Sequence, residues 1–187
     1  MAASSYFTNQ FLIAMPALAD PNFYQSVTFI CEHNEDGALG IVINQPTEIR
    51  LGELLDHLDI PTELGDVADM TVYNGGPVEM ERGFVLHQPV GEWEGSLQIT
   101  ENLALTTSSD ILRAMAEGRG PERALVALGY AGWGAGQLEQ EMADNAWLTS
   151  PAEPDIIFDT PPDQRWRAAA EQLGIDLDLL TGGAGHA

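Results

Sequence analysis

The chain reads as an α/β protein with a mixed sheet and helices on the outside, and three observations lead there. Between Leu125 and Thr149 an apolar run ends in a glycine-bearing turn, then a short polar helix, then a new strand start. That is the unit from which many α/β proteins are built. Strand-length apolar runs and stretches with helical spacing alternate in both halves of the chain. Hairpin signals are frequent in the first half, which argues against a purely parallel, doubly wound sheet.

Taken in order, Phe11–Met15 is a first strand stopped by Pro16, and Asp20-Pro21 marks a turn or a short helix start. Ser26–His33 is a strand with Val27, Phe29 and Cys31 on one face, and strict alternation sends His33 the same way. Asp36-Gly37 supplies hairpin chemistry. Ala38–Asn44 then returns as a nearly continuous apolar strand, as expected when both faces are covered, and Gln45-Pro46 stops it. Leu51, Leu54, Leu55 and Leu58 fall at helical spacing and give a helix over 51–58. Residues 59–70 form an acidic connection, and Thr71–Tyr73 is a short strand leading into Asn74-Gly75-Gly76-Pro77.

Gly83–His87 is another strand, ended by Pro89, and Gly91–Gly95 reads as an exposed loop. Ser96–Thr100 and Leu103–Thr107 are short strands. Ser108 or Ser109 caps a helix over Asp110–Glu117, with Ile111, Leu112 and Met115 turned inward. In the central unit Leu125–Tyr130 is the buried strand, Gly132, Gly134 and Gly136 make the turn, and Gln137–Asp144 is the helix. Ile156–Phe158 reads as a last strand. Pro161–Leu173 is a last helix, with proline where a missing N–H costs nothing. The tail Thr181–Ala187 has little packing capacity. The length fits a single domain over 1–187, with 59–100 as the stretch that reads as a small lobe.

Composition narrows the function. Seven arginines and no lysine face 29 acidic residues, for a net charge of −22. Without lysine there is no Schiff-base chemistry and no P-loop lysine. An acidic surface repels phosphates, so neither non-specific nucleic-acid binding nor docking to anionic membranes is expected, whereas a basic protein partner is. The single cysteine, Cys31, allows no internal disulfide and suits a reducing compartment. Phe11–Ala19 is apolar but lacks the basic region of an export signal. No apolar run approaches the roughly 18 residues of a membrane span. The expected location is the cytoplasm.

Several stretches carry a resemblance: FLIAMPAL near the start, ICEHN and GALGIVINQP, GGPV, RGFVLH, LVALGYAGW followed by GQLEQE and DNAWL, RW at 165–166, and GHA at the end. Spread over essentially the whole chain, they resemble the YqgE/AlgH family of bacterial proteins. The resemblance implies a bent, mixed sheet folded into a barrel-like core with helices packed outside. It brings no catalytic residues and no cofactor, and one branch is linked by name to transcriptional control of alginate synthesis. Three positions depart from the pattern. Gln45 stands where a basic residue is expected, and of Gly132, Gly134 and Gly136 only Gly136 matches.

The candidate sites follow from residue types. The central turn has G-x-G-x-G spacing where a dinucleotide fingerprint needs G-x-G-x-x-G, and Glu139 and Glu141 follow where a phosphate would sit. A tight turn explains it better. Asn74, Gly75, Gly76 and Pro77 are better placed, because two glycines can aim backbone N–H groups into a small nest. Together with Asn44, Pro46, Arg82 and His87 they make a candidate small-molecule site, with a plain hairpin turn as the alternative.

Cys31 and His33 have the chemistry of a nucleophile and base but no third orienting group, and a buried structural cysteine is the simpler reading. The four histidines, His33, His57, His87 and His186, show no metal spacing, and no metal or cofactor is expected. The hydroxyls of residues 106–109 suit helix capping or an anion. The chain has no G-x-S-x-G elbow, which excludes an α/β-hydrolase site. Gln137, Glu139, Gln140, Glu141 and Asp144 form the outer face of a helix, either solvated or an acidic docking surface.

Two readings stand. One is a non-catalytic protein acting through protein partners, in gene regulation if the resemblance extends that far, without direct general DNA binding. The other is a small-molecule binder or enzyme built on the 44–46 and 74–77 turns.

Overall fold

The computed structural model describes residues 6–15 and 25–174. Pro16, the Asp20-Pro21 turn, the 181–187 tail and His186 lie outside them. Ten strands and six helices alternate among the described residues: β1 (Gln10–Ala14), β2 (Val27–Asn34), β3 (Gly37–Val42), β4 (Pro46–Arg50), α1 (Leu51–His57), α2 (Gly65–Ala68), β5 (Thr71–Asn74), β6 (Val78–Gln88), β7 (Ser96–Gln98), β8 (Ala104–Thr106), α3 (Ser109–Ala116), β9 (Arg123–Gly134), α4 (Gln137–Ala143), β10 (Trp147–Pro151), α5 (Pro154–Phe158) and α6 (Arg165–Glu171).

The sheet is mixed, as expected, and β9 is its shared member. Its C-terminal part, Ala131–Gly134, pairs antiparallel with Gly37–Gly40 of β3, which continues through β2 and β1 to β10. Its N-terminal part, Arg123–Leu128, pairs antiparallel with Gly83–Gln88 of β6, which continues through β8 to β7. On the other edge, Val126–Leu128 pairs parallel with Val72–Asn74 of β5, and β4 adds antiparallel to β5.

Gly129 is where the two halves join. Leu125 and Ala127 face the inner core, whereas Val126 and Leu128 face the layer under α1 and α3. Beyond the glycine, Tyr130 packs inward and Ala131 and Trp133 pack outward under α4. Strict alternation would keep residues 127, 131 and 133 on one side. The change of parity marks an inserted residue, and Gly129 supplies it at φ +80°. The bulge bends β9, and the sheet curls into a half-barrel.

Three packed layers follow. Inside the curl, Phe11, Phe29, Ile41, Phe84 and Leu125 meet Ile156, Ile157, Trp166 and Ala169 from α5 and α6. Outside one half, Val72, Val85 and Val126 meet Leu51 and Leu55 of α1 and Ile111, Leu112 and Met115 of α3. Outside the other, Leu12, Ile30 and Trp133 meet Leu138 of α4. Each fully buried aliphatic or aromatic side chain contributes about 1.5–3 kcal/mol.

Several elements depart from the sequence reading. Ile156–Phe158 is not a strand but the body of α5, with Pro154 in its first turn. The last helix splits into a short 3-10 turn, Pro162–Gln164, and α6. β9 runs through Gly132 and Gly134, so the turn before α4 shrinks to residues 135–136. β6 begins at Val78, β4 occupies Pro46–Arg50, and α2 lies within the 59–70 connection. Residues 59–100 contribute β5, β6 and β7 to the common sheet. Ser108 sits at the α3 N-cap, but its hydroxyl donates to Glu94 O and makes no cap bond.

Candidate functional site

The turns at 44–46 and 74–77 do come together. Val42 N–H donates to Gly75 O (2.9 Å), Asn74 N–H to Gln45 O (2.8 Å), and Pro46 pairs with Tyr73. Asn44 closes the neighbouring gap. Its Oδ1 accepts from Val27 N–H at 2.9 Å and its Nδ2 donates to Gln25 O at 3.0 Å. Two glycines make the contact with β9 possible, since a Cβ on Gly75 would meet Gly129 O at 2.4 Å and one on Gly76 the Tyr130 carbonyl carbon at 2.1 Å. The nest donors are already used: Gly75 N–H donates to Leu128 O (2.8 Å) and Gly76 N–H to Asn74 Oδ1 (3.2 Å). Pro77 is exposed beside them.

Arg82 and His87 are not brought to these turns together. Arg82 lies exposed, 3.6 Å from Glu79 and 5.5 Å from the Phe84 ring centroid. His87 sits roughly 16 Å further along β6 at ~3.3 Å per residue and is fully buried. Its Nδ1 faces Pro89 O at 2.9 Å, which places the ring proton there, so Nε2 accepts from the Thr106 hydroxyl at 2.7 Å. The Ser96 hydroxyl in turn meets Thr106 Oγ1 at 2.6 Å. Burial holds the His87 pKa below its ordinary value, with the Pro89 carbonyl opposing.

The cationic group beside the two turns is instead Arg165, which the sequence reading quoted only within the RW pair. It is buried, donating from Nε to Thr160 O at 2.8 Å and from Nη1 to Ile43 O, with its guanidinium 5.1 Å from the Tyr73 ring centroid. Burial pulls its pKa down and Tyr73 opposes that. Only the alternation of apolar and charged residues in the last helix could have flagged it, and that pattern also fits a solvated arginine.

Cys31 and His33 do not share a face. The β2–β3 register shifts between Ile30 and Glu32, so Cys31 points into the inner core and His33 toward α4. Burial, seconded by Glu32, pushes the Cys31 thiol far above its ordinary pKa, leaving no thiolate at neutral pH. Phe7 N–H donates to His33 Nδ1 at 2.9 Å, which puts the ring proton on Nε2, 3.2 Å from Glu139 Oε1. On the α4 face, Glu141 Oε1 accepts from Trp133 Nε1 (3.0 Å) and Trp147 Nε1 (2.9 Å), and Gln137 Nε2 donates to its other oxygen. Gln140 Nε2 donates to Asp144. Of this face, Gln137, Gln140 and Asp144 are exposed and Glu139 and Glu141 half-buried.

Among the described residues no three His, Cys, Asp or Glu side chains are grouped to hold a metal. No helix among them is long and apolar enough to cross a membrane. A sizeable concavity lies elsewhere among the described residues, between α1 and the start of β6. It measures about 520 Å³ and is lined by Ile49, Glu53, Leu54, His57, Met80, Glu81 and Leu128.

A mixed, strongly curled half-barrel with α5 and α6 packed inside its curl defines the fold class. The chain belongs to the AlgH-like family, whose profile matches residues 11–178. It is 64% identical to a UPF0301 protein of Thioalkalivibrio sulfidiphilus and 54% identical to one of Nitrosococcus oceani, over 100% of both chains in each case. It is similar to the solution structure of the AlgH protein from Pseudomonas aeruginosa, at 53% identity and a TM-score of 0.81, covering 97% of this chain and 96% of that one. It also shares its fold with a Corynebacterium diphtheriae protein at 20% identity and a TM-score of 0.73, covering 92% and 90%.

Proposed function

We propose that this chain is a non-catalytic protein that acts by docking a protein partner with a basic surface. Its connection to gene regulation, suggested by the family resemblance, then runs through that partner without general contact to duplex DNA. The observation that carries this reading is charge. Twenty-nine acidic residues face seven arginines, and most of those arginines are engaged within the fold, Arg50 through a 2.8 Å bond to the Thr71 hydroxyl. Arg82 meets Glu79 at 3.6 Å, Arg119 meets Glu117 at 2.5 Å, Arg123 meets Asp155 at 3.2 Å and Asp159 at 2.8 Å, and Arg165 is buried. A field of this sign concentrates cationic partners and speeds their encounter, while it repels phosphates. The inert Cys31 and the separation of Cys31 from His33 also favour binding over catalysis.

Two measurements test it. The protein alone should leave duplex DNA unretarded in a gel at about 150 mM salt, and a clean shift would overturn indirect action. Zero-length coupling of carboxylates to amines in lysate should give adducts at lysine-bearing partner segments that vanish at about 1 M salt. Salt-independent adducts would remove the electrostatic basis.

A further inference from the structure

We propose that the groove between α1 and β6 is the docking site, and that its occupant is a protein segment with a bulky apolar residue flanked by arginine or lysine. This rests on the reading of a basic partner above and names its site. The floor is apolar and comes from three elements: Ile49 of β4, Leu54 of α1 and Leu128 of β9. Its volume of about 520 Å³ falls in the range that buries a large anchoring side chain with its neighbours. A second hollow of about 160 Å³ adjoins it, sharing Leu54 and Glu81 and running past Leu58 to the start of α3.

The two most exposed large apolar side chains of the described residues border this pair of hollows, Met80 at 54% on the groove and Leu58 at 42% on the adjoining hollow. Their exposure is built in. The β6–β9 register jumps between Val78 and Gly83, leaving residues 79–82 out of the ladder. Glu79 turns the chain there in a left-handed conformation at φ +46°, and Met80 follows at the rim. A thioether adapts to differently shaped anchors, which suits a docking surface. The charge selects the occupant: Glu53 and Glu81 are exposed on opposite walls. The two arginines next to lining residues in the chain are engaged elsewhere, Arg82 with Glu79 and the Phe84 ring and Arg50 with the Thr71 hydroxyl. An apolar anchor with cationic flanks satisfies both floor and rim, and a phosphate-bearing ligand meets repulsion.

The test uses fluorescence anisotropy with two synthetic probes, a labelled peptide of leucine and lysine at helical spacing and the same pattern in leucine and glutamate. Met80→Ser with Leu58→Ser removes the apolar rim, and Glu53→Gln with Glu81→Gln removes the charge. Leu173→Ser with Glu171→Gln is the matched control outside the groove. All six positions are exposed, and circular dichroism confirms the fold of each variant. The full chain should bind the lysine peptide and not the glutamate peptide. Each groove pair should weaken that binding by at least about tenfold, and the control by less than about twofold. Groove variants that bind like the parent, while the parent binds in a salt-sensitive way, would overturn the groove and leave the partner reading standing. A parent that binds neither peptide at low salt would overturn both. A dimer in sedimentation that Met80→Ser dissociates would assign the groove to a second copy and overturn the proposed occupant.

Discussion

At Gly76 a Cβ would stand 2.1 Å from the Tyr130 carbonyl carbon and 2.4 Å from Ala131 N, on a backbone with φ +153°. Both neighbours are main chain, so no side chain can swing aside. Gly76→Ala is expected to cost at least about 3 kcal/mol of unfolding free energy in a urea titration. Gly65→Ala, in the first turn of α2 with nothing within 4 Å, should instead stabilise by about 0.5 kcal/mol. His87 sets a pH dependence. Its folded pKa lies below its ordinary value because it is buried, while an unfolded histidine titrates near 6.5. Within that window the unfolded chain holds more protons, so this contribution is full above about pH 6.5 and lost as pH falls through the window. Denaturation midpoints at about pH 7.5 and about pH 5.5 should show the fall. His87→Gln should flatten it, and an unchanged slope would assign the effect to other groups.

The elements are tied together by single side chains. Glu141 of α4 accepts both indole N–H groups, from Trp133 of β9 and Trp147 of β10, and the two rings meet edge to face with centroids 6.3 Å apart. Glu141→Ala should cost about 3 kcal/mol, because two largely buried donors lose a charged acceptor, and it should shift tryptophan emission to longer wavelength. Glu141→Gln keeps an acceptor and should lose much less. From sequence, Glu141 is one more acid on a polar helix face. Its partners come from strands that register places beside it, and no spacing rule encodes that. The strands at 11–14, 27–33 and 38–42 were legible because apolar runs bounded by turn residues say where a chain is covered. Ile156–Phe158 was not, since three apolar residues fit a strand or a helical turn equally. The continuation of β9 past Tyr130 was hidden as well, because a strand glycine and a turn glycine look alike in sequence. The same limit covers the site. The 44–46 and 74–77 turns could be named from their residue types, but their joining through β9 and the buried Arg165 beside them depend on long-range pairing.

For the molecule as a whole, a net charge of −22 concentrated by folding is self-repelling. Raising NaCl from about 10 mM to about 500 mM shortens the screening length several-fold. The melting temperature should rise with it by several degrees, as read by calorimetry. A fall would mean that the internal pairs, such as Arg123 with Asp155 and Asp159, outweigh the repulsion. The same screening should weaken capture of a basic partner, so stability and affinity should move in opposite directions along one salt series.

The shared strand β9 has a consequence for synthesis. Strands β1 to β8 leave the ribosome first, yet neither half of the sheet has its central member until residues 123–134 emerge. Apolar β3 and β6 then wait with an open edge each, the condition in which nascent chains pair wrongly with one another. Closure must come late and join both halves at once, which is the long-range ordering that slows folding. Newly made chains of this protein would therefore depend on holding factors until β9 has emerged.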